Sequence, residues 1–262
     1  MIELQLEGAV VELRLGASPC NEIGTTMLAA LEGALDAVEP WVAAGEVRAL
    51  ILHSSVRGGF SAGADLRELH RELLATDPAA REAGLRGFIE RIHGVMDRLD
   101  GLPCTTLGVI HGVCFGGGFE LALTCDVLIA EKTARFAFPE LRLGIVPGFG
   151  GIPRLRREVA NPVVRDLLLT GRSINAKKAQ QVGLVSQLVP TGEGLPAARA
   201  AAAQSAKFDA YALAACKRFM KPIPTAELAA EKQLFVELAL RPALQAALQR
   251  FVDSDDIRPY LP

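Results

Sequence analysis

The chain has 262 residues, half of them apolar, with 28 lysines and arginines against 30 aspartates and glutamates. That length suits one large domain, or a domain with an appendage, and is enough to bury roughly three-quarters of the unfolded surface. A formal charge of −2 gives no electrostatic reason to expect nucleic acid or an anionic membrane as partner.

The opening MIELQLEG carries Glu3 and Glu7 and no basic segment leading an apolar one, so no secretory signal is expected there. No apolar stretch approaches the roughly 18 residues of a membrane span. Cys20, Cys104, Cys114, Cys125 and Cys216 are odd in number and include no C-x-x-C pair. His53, His70, His93 and His111 show neither H-x-H nor H-E-x-x-H spacing. Neither a disulfide framework nor a metal site is expected, and the thiols read as reduced groups of a cytoplasmic protein.

In chain order, Val10–Leu15 alternates apolar residues as a half-buried strand does. A helix is predicted over Thr26–Val38, with Leu28, Leu31, Leu35 and Val38 on one face. Ala49–His53 is a nearly continuous apolar run, the mark of a strand covered on both sides. Ser54–Gly63 reads as a glycine-bearing loop, and Leu66–Leu99 as helix with a break at Asp77-Pro78. The scheme then repeats: a strand at Thr105–His111, glycines 116 to 118, and a helix from Phe119 to Thr124. Short strands follow at Asp126–Ala130 and Arg135–Phe138. Two rounds of strand, glycine loop and helix predict α/β layering from repeated units. From about Pro190 the chain turns Ala-, Leu- and charge-rich, with Pro222 and Pro224 punctuating helical stretches. The expected division is a core over 1–195 and a helical region over 196–262, packed on the core or on a neighbouring subunit.

Gly59-Phe60-Ser61-Ala62-Gly63 fits the G-x-S-x-G elbow of serine hydrolases. That chemistry needs a later acid and then a late histidine, yet the last histidine is His111, with more than half the chain beyond it. Gly116-Gly117-Gly118 matches neither standard phosphate-loop spacing. Glycines entering a helix do leave its first N–H groups unpaired, and these can hold an oxygen that gains charge during reaction. Ala62-Gly63-Ala64-Asp65, entering the helix at Leu66, offers the same, so two such ends could converge on one oxygen.

Glu120 lies three residues after Gly117 in an otherwise apolar run, where it either caps the helix or works in a dry site. Glu140 follows Pro139, twenty residues on, again between apolar neighbours. Two N–H donors and two carboxyls suit a reaction that polarises a thioester carbonyl, stabilises an enolate, and moves water and a proton at adjacent carbons.

These residues resemble the crotonase (enoyl-CoA hydratase/isomerase) superfamily. Phe60 through Leu66 is similar to its first signature, and His111-Gly112 through Ala122 with Cys125-Asp126 to its second. Phe136 through Glu140, Leu143 through Gly151 and Arg154-Leu155 are similar to its third, and Leu169-Thr170-Gly171 and Ala179 through Val185 continue the match. The resemblance implies a crotonase-like spiral of ββα turns with a C-terminal helical oligomerisation region, trimers that often pair into hexamers, and an acyl-CoA thioester substrate with no separate cofactor. It implies an oxyanion hole from the N–H groups of Ala64 and Gly117, catalytic Glu120 and Glu140, and CoA contacts at Ala62 and Arg67. The segment from Leu69 to Gly87 is expected to shape the acyl pocket.

Both glutamates favour an enoyl-CoA hydratase of fatty acid metabolism. The alternatives are a Δ3,Δ2-enoyl isomerase, an acyl-CoA hydrolase, a decarboxylase, or a dehydratase on a carrier-protein thioester. From another class, the alternative is a non-catalytic scaffold or RNA-binding relative. The chain departs from the family pattern at Gly151-Ile152-Pro153-Arg154, where Gly-Thr-Gln-Arg is usual, and at its last residues, Asp255 to Pro262.

Overall fold

The computed structural model describes residues 1–75 and 77–254; the sequence feature at Asp255 to Pro262 lies outside them. Two strands, β1 (Ile2–Glu7) and β2 (Val10–Leu15), form an antiparallel hairpin. Helix α1 (Thr25–Ala43) follows. It runs past the predicted end at Val38 and carries Pro40 inside it, because Val42 still reaches the core. Strand β3 (Ala49–Ser54) then leads to β4 (Gly59–Ser61), α2 (Leu66–Ala75) and α3 (Pro78–Gly101). The predicted break before Pro78 is the start of α3: Asp77 accepts hydrogen bonds from the N–H groups of Ala79 and Ala80, and Pro78 occupies the first turn, where no N–H is needed.

The second round is β5 (Thr105–Ile110), β6 (Val113–Phe115) and α4 (Gly117–Ala122). The third is β7 (Val127–Glu131), β8 (Arg135–Ala137), a 3₁₀ turn at Glu140–Leu143, α5 (Gly151–Glu158) and α6 (Asn161–Thr170). After β9 (Ile174–Asn175), α7 (Ala176–Gln181) and β10 (Gln187–Val189) come α8 (Gly194–Ser205), α9 (Ala210–Met220), α10 (Thr225–Ala239) and α11 (Pro242–Asp253).

Each round puts its first strand in one sheet and its second in another. The larger sheet has the order β1-β2-β3-β5-β7-β10 and is parallel from β2 onward. The smaller has the order β4-β6-β8-β9, with β4, β6 and β8 parallel. This is the α/β spiral expected from the repeated strand, loop and helix pattern. The pleat of β3 sorts its side chains. Leu50 and Leu52 face the main core, and Ala49 and Ile51 face a second, smaller core closed by Ala198 and Ala202 of α8. The 195/196 division falls within α8, a helix whose small residues allow close approach to the sheet. Downstream, α10 packs on α3 and α5, and α11 on α2 and the Glu140–Leu143 turn.

Candidate active site

Because β4, β6 and β8 are parallel, with Ser61 beside Cys114 and Cys114 beside Phe136, their carboxyl ends lie side by side. Ligands of parallel sheets bind beyond such ends. The chain leaving β4 supplies Ala62 and Ala64, that leaving β6 supplies Gly117 and Glu120, and that leaving β8 supplies Glu140. These five residues line one cavity of about 60 Å³. Arg67 does not line it; exposed on α2, it holds its guanidinium 5.2 Å from the centroid of the Phe251 ring on α11.

Local hydrogen bonding frees two N–H groups at this cavity. Ile23 donates to the carbonyl of Gly63 (2.7 Å) and accepts from the N–H of Asp65 (3.1 Å). This parallel bridge engages the residues on either side of Ala64 and turns Ala64's own N–H the other way. Gly117 is the first residue of α4, so its N–H has no acceptor within the helix. The loops carrying these groups touch: a Cβ on Gly63, whose φ of +96° already favours glycine, would stand 3.0 Å from the Gly117 nitrogen.

The two glutamates sit in unequal surroundings. Glu120 does not cap its own helix. Its Oε1 accepts from the N–H groups of Phe149 (2.8 Å) and Gly151 (2.7 Å). Burial pushes its pKa up to about 7, against the pull of those two N–H groups and of Arg154. Glu140 is also buried, and its Oε2 has no hydrogen-bond partner among the described residues. Burial first, and then the negative charge of Glu120, hold its pKa well above the usual carboxylate range. A Cβ on Gly116, at φ +48°, would stand 2.7 Å from Glu140 Oε1, so the glycine leaves room for the carboxyl. The cavity thus holds one carboxyl fixed by backbone donors and one poised to keep its proton.

Ser61 of the G-x-S-x-G match is fully buried. Its hydroxyl donates to the Asn21 carbonyl (2.8 Å) and accepts from the N–H of Gly63 (3.1 Å), so it braces the Ala64 loop. Among the described residues no cluster of three or more His, Cys, Asp or Glu could hold a metal ion, and no helix is long and apolar enough to cross a membrane.

Two contributors were not legible as site residues. Arg154, fully buried, donates from Nε to Asp100 (2.9 Å), from Nη2 to Asp97 (2.5 Å) and from Nη1 to the Phe149 carbonyl (3.2 Å). It thereby fixes the loop whose N–H groups hold Glu120. Glu231 of α10 is buried, and its Oε2 accepts from the N–H of Ile152 (2.9 Å). Its one sequence signal is an acidic residue within the buried stripe Leu228, Phe235, Val236 and Ala239.

Beside this cavity lies a second, of about 140 Å³, which shares Ala64, Leu69, Phe149 and Phe235 with it and extends past Leu73 to Gly84 and Leu85. From the Leu69–Gly87 segment, Leu69, Leu73, Ala80, Gly84 and Leu85 thus line it.

The fold and the site define a family. The sequence profile described as Enoyl-CoA hydratase/isomerase matches residues 5–258, and the chain belongs to that family. It is 37% identical over 167 residues to the Mycobacterium bovis protein named "Probable enoyl-CoA hydratase echA8", a match covering 64% of this chain and 61% of that one. It is 38% identical over 185 residues to 2,3-dehydroadipyl-CoA hydratase of Escherichia coli, covering 69% of this chain and 68% of that one. The alignment with the first of these spans less than two-thirds of that relative. The crystal structure of an enoyl-CoA hydratase from Bacillus halodurans shares the fold with a TM-score of 0.84 at 23% identity, over 95% of this chain and 98% of that one.

Proposed function

We propose that the protein is an enoyl-CoA hydratase, catalysing the reversible syn addition of water to a 2-enoyl-CoA thioester. The observation that carries this reading is the pair of unequal carboxyls, Glu120 and Glu140, in one cavity with the unpaired N–H groups of Ala64 and Gly117. The two N–H groups hold the thioester oxygen. The Glu120 carboxylate takes a proton from water as the water oxygen bonds to C3, and the C2–C3 π electrons move onto the thioester as an enolate. The enolate collapses as C2 takes the proton of Glu140. Glu120 is then protonated and Glu140 ionised, and transfer of one proton between them through the next water restores the start. No other group enters this route. We assign Ala62 to the CoA moiety and Arg67 to its phosphates, and we place the enzyme in the cytoplasm as a trimer or a dimer of trimers.

Loss of conjugated-enoyl absorbance with crotonyl-CoA tests the reading. Turnover to a product one water heavier supports it, and a folded protein that binds the thioester without forming such a product refutes it.

The pH profile of kcat/KM is expected to be a bell. The rate falls as pH drops below about 7, where Glu120 gains a proton, and falls again at higher pH, where Glu140 loses its own. A rate rising monotonically through the alkaline range would contradict the assignment of Glu140 as acid.

The second cavity receives the acyl tail in this reading. Gly84 of α3 lines it, and no described atom lies within 4 Å of the place its Cβ would take. Gly84→Leu is expected to leave the fold intact, because leucine is favoured over glycine inside a helix by about 0.5–1 kcal/mol. It is expected to lower kcat/KM for eight-carbon relative to four-carbon enoyl thioesters by roughly tenfold, since a leucine side chain removes space for several methylenes. An unchanged ratio would place the tail elsewhere.

A further inference from the structure

Glu120 and Glu231 come from different helices, α4 and α10, but end on consecutive N–H groups at the start of α5. Gly151 donates to Glu120 (2.7 Å) and Ile152 to Glu231 (2.9 Å). The Oε1 of Glu231 is buried without a hydrogen-bond partner among the described residues, and Glu231 does not line the cavity holding the other two carboxyls. Each carboxyl has a backbone donor, but a second buried carboxyl beside the first is costly unless something balances its charge.

The charged groups around it balance it only in part. Arg154 of α5 favours the charged forms of both Glu120 and Glu231, but its ion pairs are made with Asp97 and Asp100 of α3. Lys232, next to Glu231 on α10, pairs with Glu90 of α3 at 2.7 Å. His93 of α3 holds the Gly148 carbonyl through Nε2 at 2.9 Å, and burial pushes its pKa down to about 4, so it stays neutral. Glu227, on the first turn of α10, adds negative charge. Glu120, Glu140 and Glu231 therefore form a group of three buried carboxyls, none of which makes an ion pair among the described residues. Such a group keeps protons until high pH.

We propose that Glu231 is a positioning residue for the Glu120–Glu140 pair. As a third carboxyl on the helix end that Glu120 uses, its charge keeps the cluster from ionising completely and so retains a proton on Glu140, where the reaction needs an acid. This rests on the hydratase reading for its catalytic consequence; for the proton it rests on the end of α5 that Glu231 shares with Glu120 and on the charge of Glu231 acting at Glu140. The directions agree: burial and then the charge of Glu120 push Glu231 up to about 8, and Glu231 is among the charges that raise Glu140. The neighbouring charge matters most above the pH at which Glu231 itself ionises, so its removal acts chiefly on the alkaline side.

The test compares wild type with Glu231→Gln, which keeps the shape and the acceptor for Ile152, and with Glu231→Met, which keeps only the volume. In both, the alkaline limb of kcat/KM for crotonyl-CoA is expected to move down by roughly one pH unit, about a tenfold loss at a fixed pH on that limb. At pH 6 the rates are expected to stay within about threefold of wild type. A uniform loss at every pH, or an unmoved alkaline limb in a folded variant, would reduce Glu231 to a structural support and overturn the proposal. A second readout separates this from failure of the hydratase reading. In protein labelled with ¹³C at the glutamate side-chain carboxyls, the Glu140 resonance, assigned by Glu140→Gln, is expected to titrate at lower pH in Glu231→Gln than in wild type. That comparison decides the proposal even if no enoyl thioester is hydrated; an unchanged midpoint would overturn it.

Discussion

Glu120→Gln is expected to lose roughly 10²–10⁴-fold in kcat for hydration, with KM for the thioester changed little. Glutamine keeps the length of the side chain, and its carbonyl oxygen can still accept from the Phe149 and Gly151 N–H groups that hold Glu120 Oε1. The loop therefore stays in place, and what disappears is a group able to take water's proton. Such a loss falls on the transition state and leaves ground-state binding alone. Glu140→Gln is expected to cost a similar factor for a different reason, since an amide cannot return a proton to C2. Exchange of the C2 hydrogens of a saturated acyl-CoA with D₂O separates the two roles. It should persist in Glu120→Gln, where Glu140 remains to carry it, and vanish in Glu140→Gln. If both variants hydrate as fast as wild type, the two-glutamate mechanism is wrong.

Arg154→Met should be the most destabilising single change near the site, by about 3–5 kcal/mol, the range for removing one partner of a buried charge pair. Arg154 is fully buried and joins α5 to both Asp97 and Asp100 of α3. Asp100 keeps Arg157 (3.1 Å) and Lys221 (3.0 Å), but the Phe149 carbonyl and the inner face of Asp97 lose their donor. Arg157→Met should cost distinctly less, because that guanidinium is partly exposed (13%) and its other ion-pair partner, Glu158, is itself open to solvent. Arg154→Lys should recover only part of the loss, since one ammonium cannot reproduce a fork that reaches two carboxylates and a carbonyl at once. Chemical denaturation midpoints of the three variants provide the check. Equal losses at positions 154 and 157 would mean that Arg154 is not the keystone of this layer.

The repeated strand, glycine loop and helix pattern was legible because its first strands, such as Ala49–Ser54 and Thr105–Ile110, are buried on both faces and leave continuous apolar runs. The strands of the smaller sheet are two or three residues long, β4 at Gly59–Ser61 among them. Three residues carry no period, so β4 read as loop. Strand β1 also alternates, Ile2, Leu4 and Leu6 against Glu3, Gln5 and Glu7. Ala62, Ala64, Gly117, Glu120 and Glu140 could be picked out as candidates because each sits within a motif, and the five line one cavity. Glu231 could not: Glu-Lys-Gln is ordinary for a solvent-facing helix turn, and only packing of α10 on α3 and α5 shows that the glutamate points inward. The partners of Glu120 were hidden for a related reason. A glutamate in the first turn of a helix reads as a local cap, whereas its acceptor oxygen is used by backbone 29 and 31 residues away.

The most direct test of the central claim is the fate of solvent oxygen. Crotonyl-CoA incubated with the protein in H₂¹⁸O, with products resolved by mass spectrometry, should give a 3-hydroxyacyl-CoA carrying one ¹⁸O at C3, and Glu120→Gln should form it far more slowly. Release of free CoA with ¹⁸O in a carboxylate, or a shifted double bond with no ¹⁸O at all, would contradict the hydratase account while leaving the shared fold untouched.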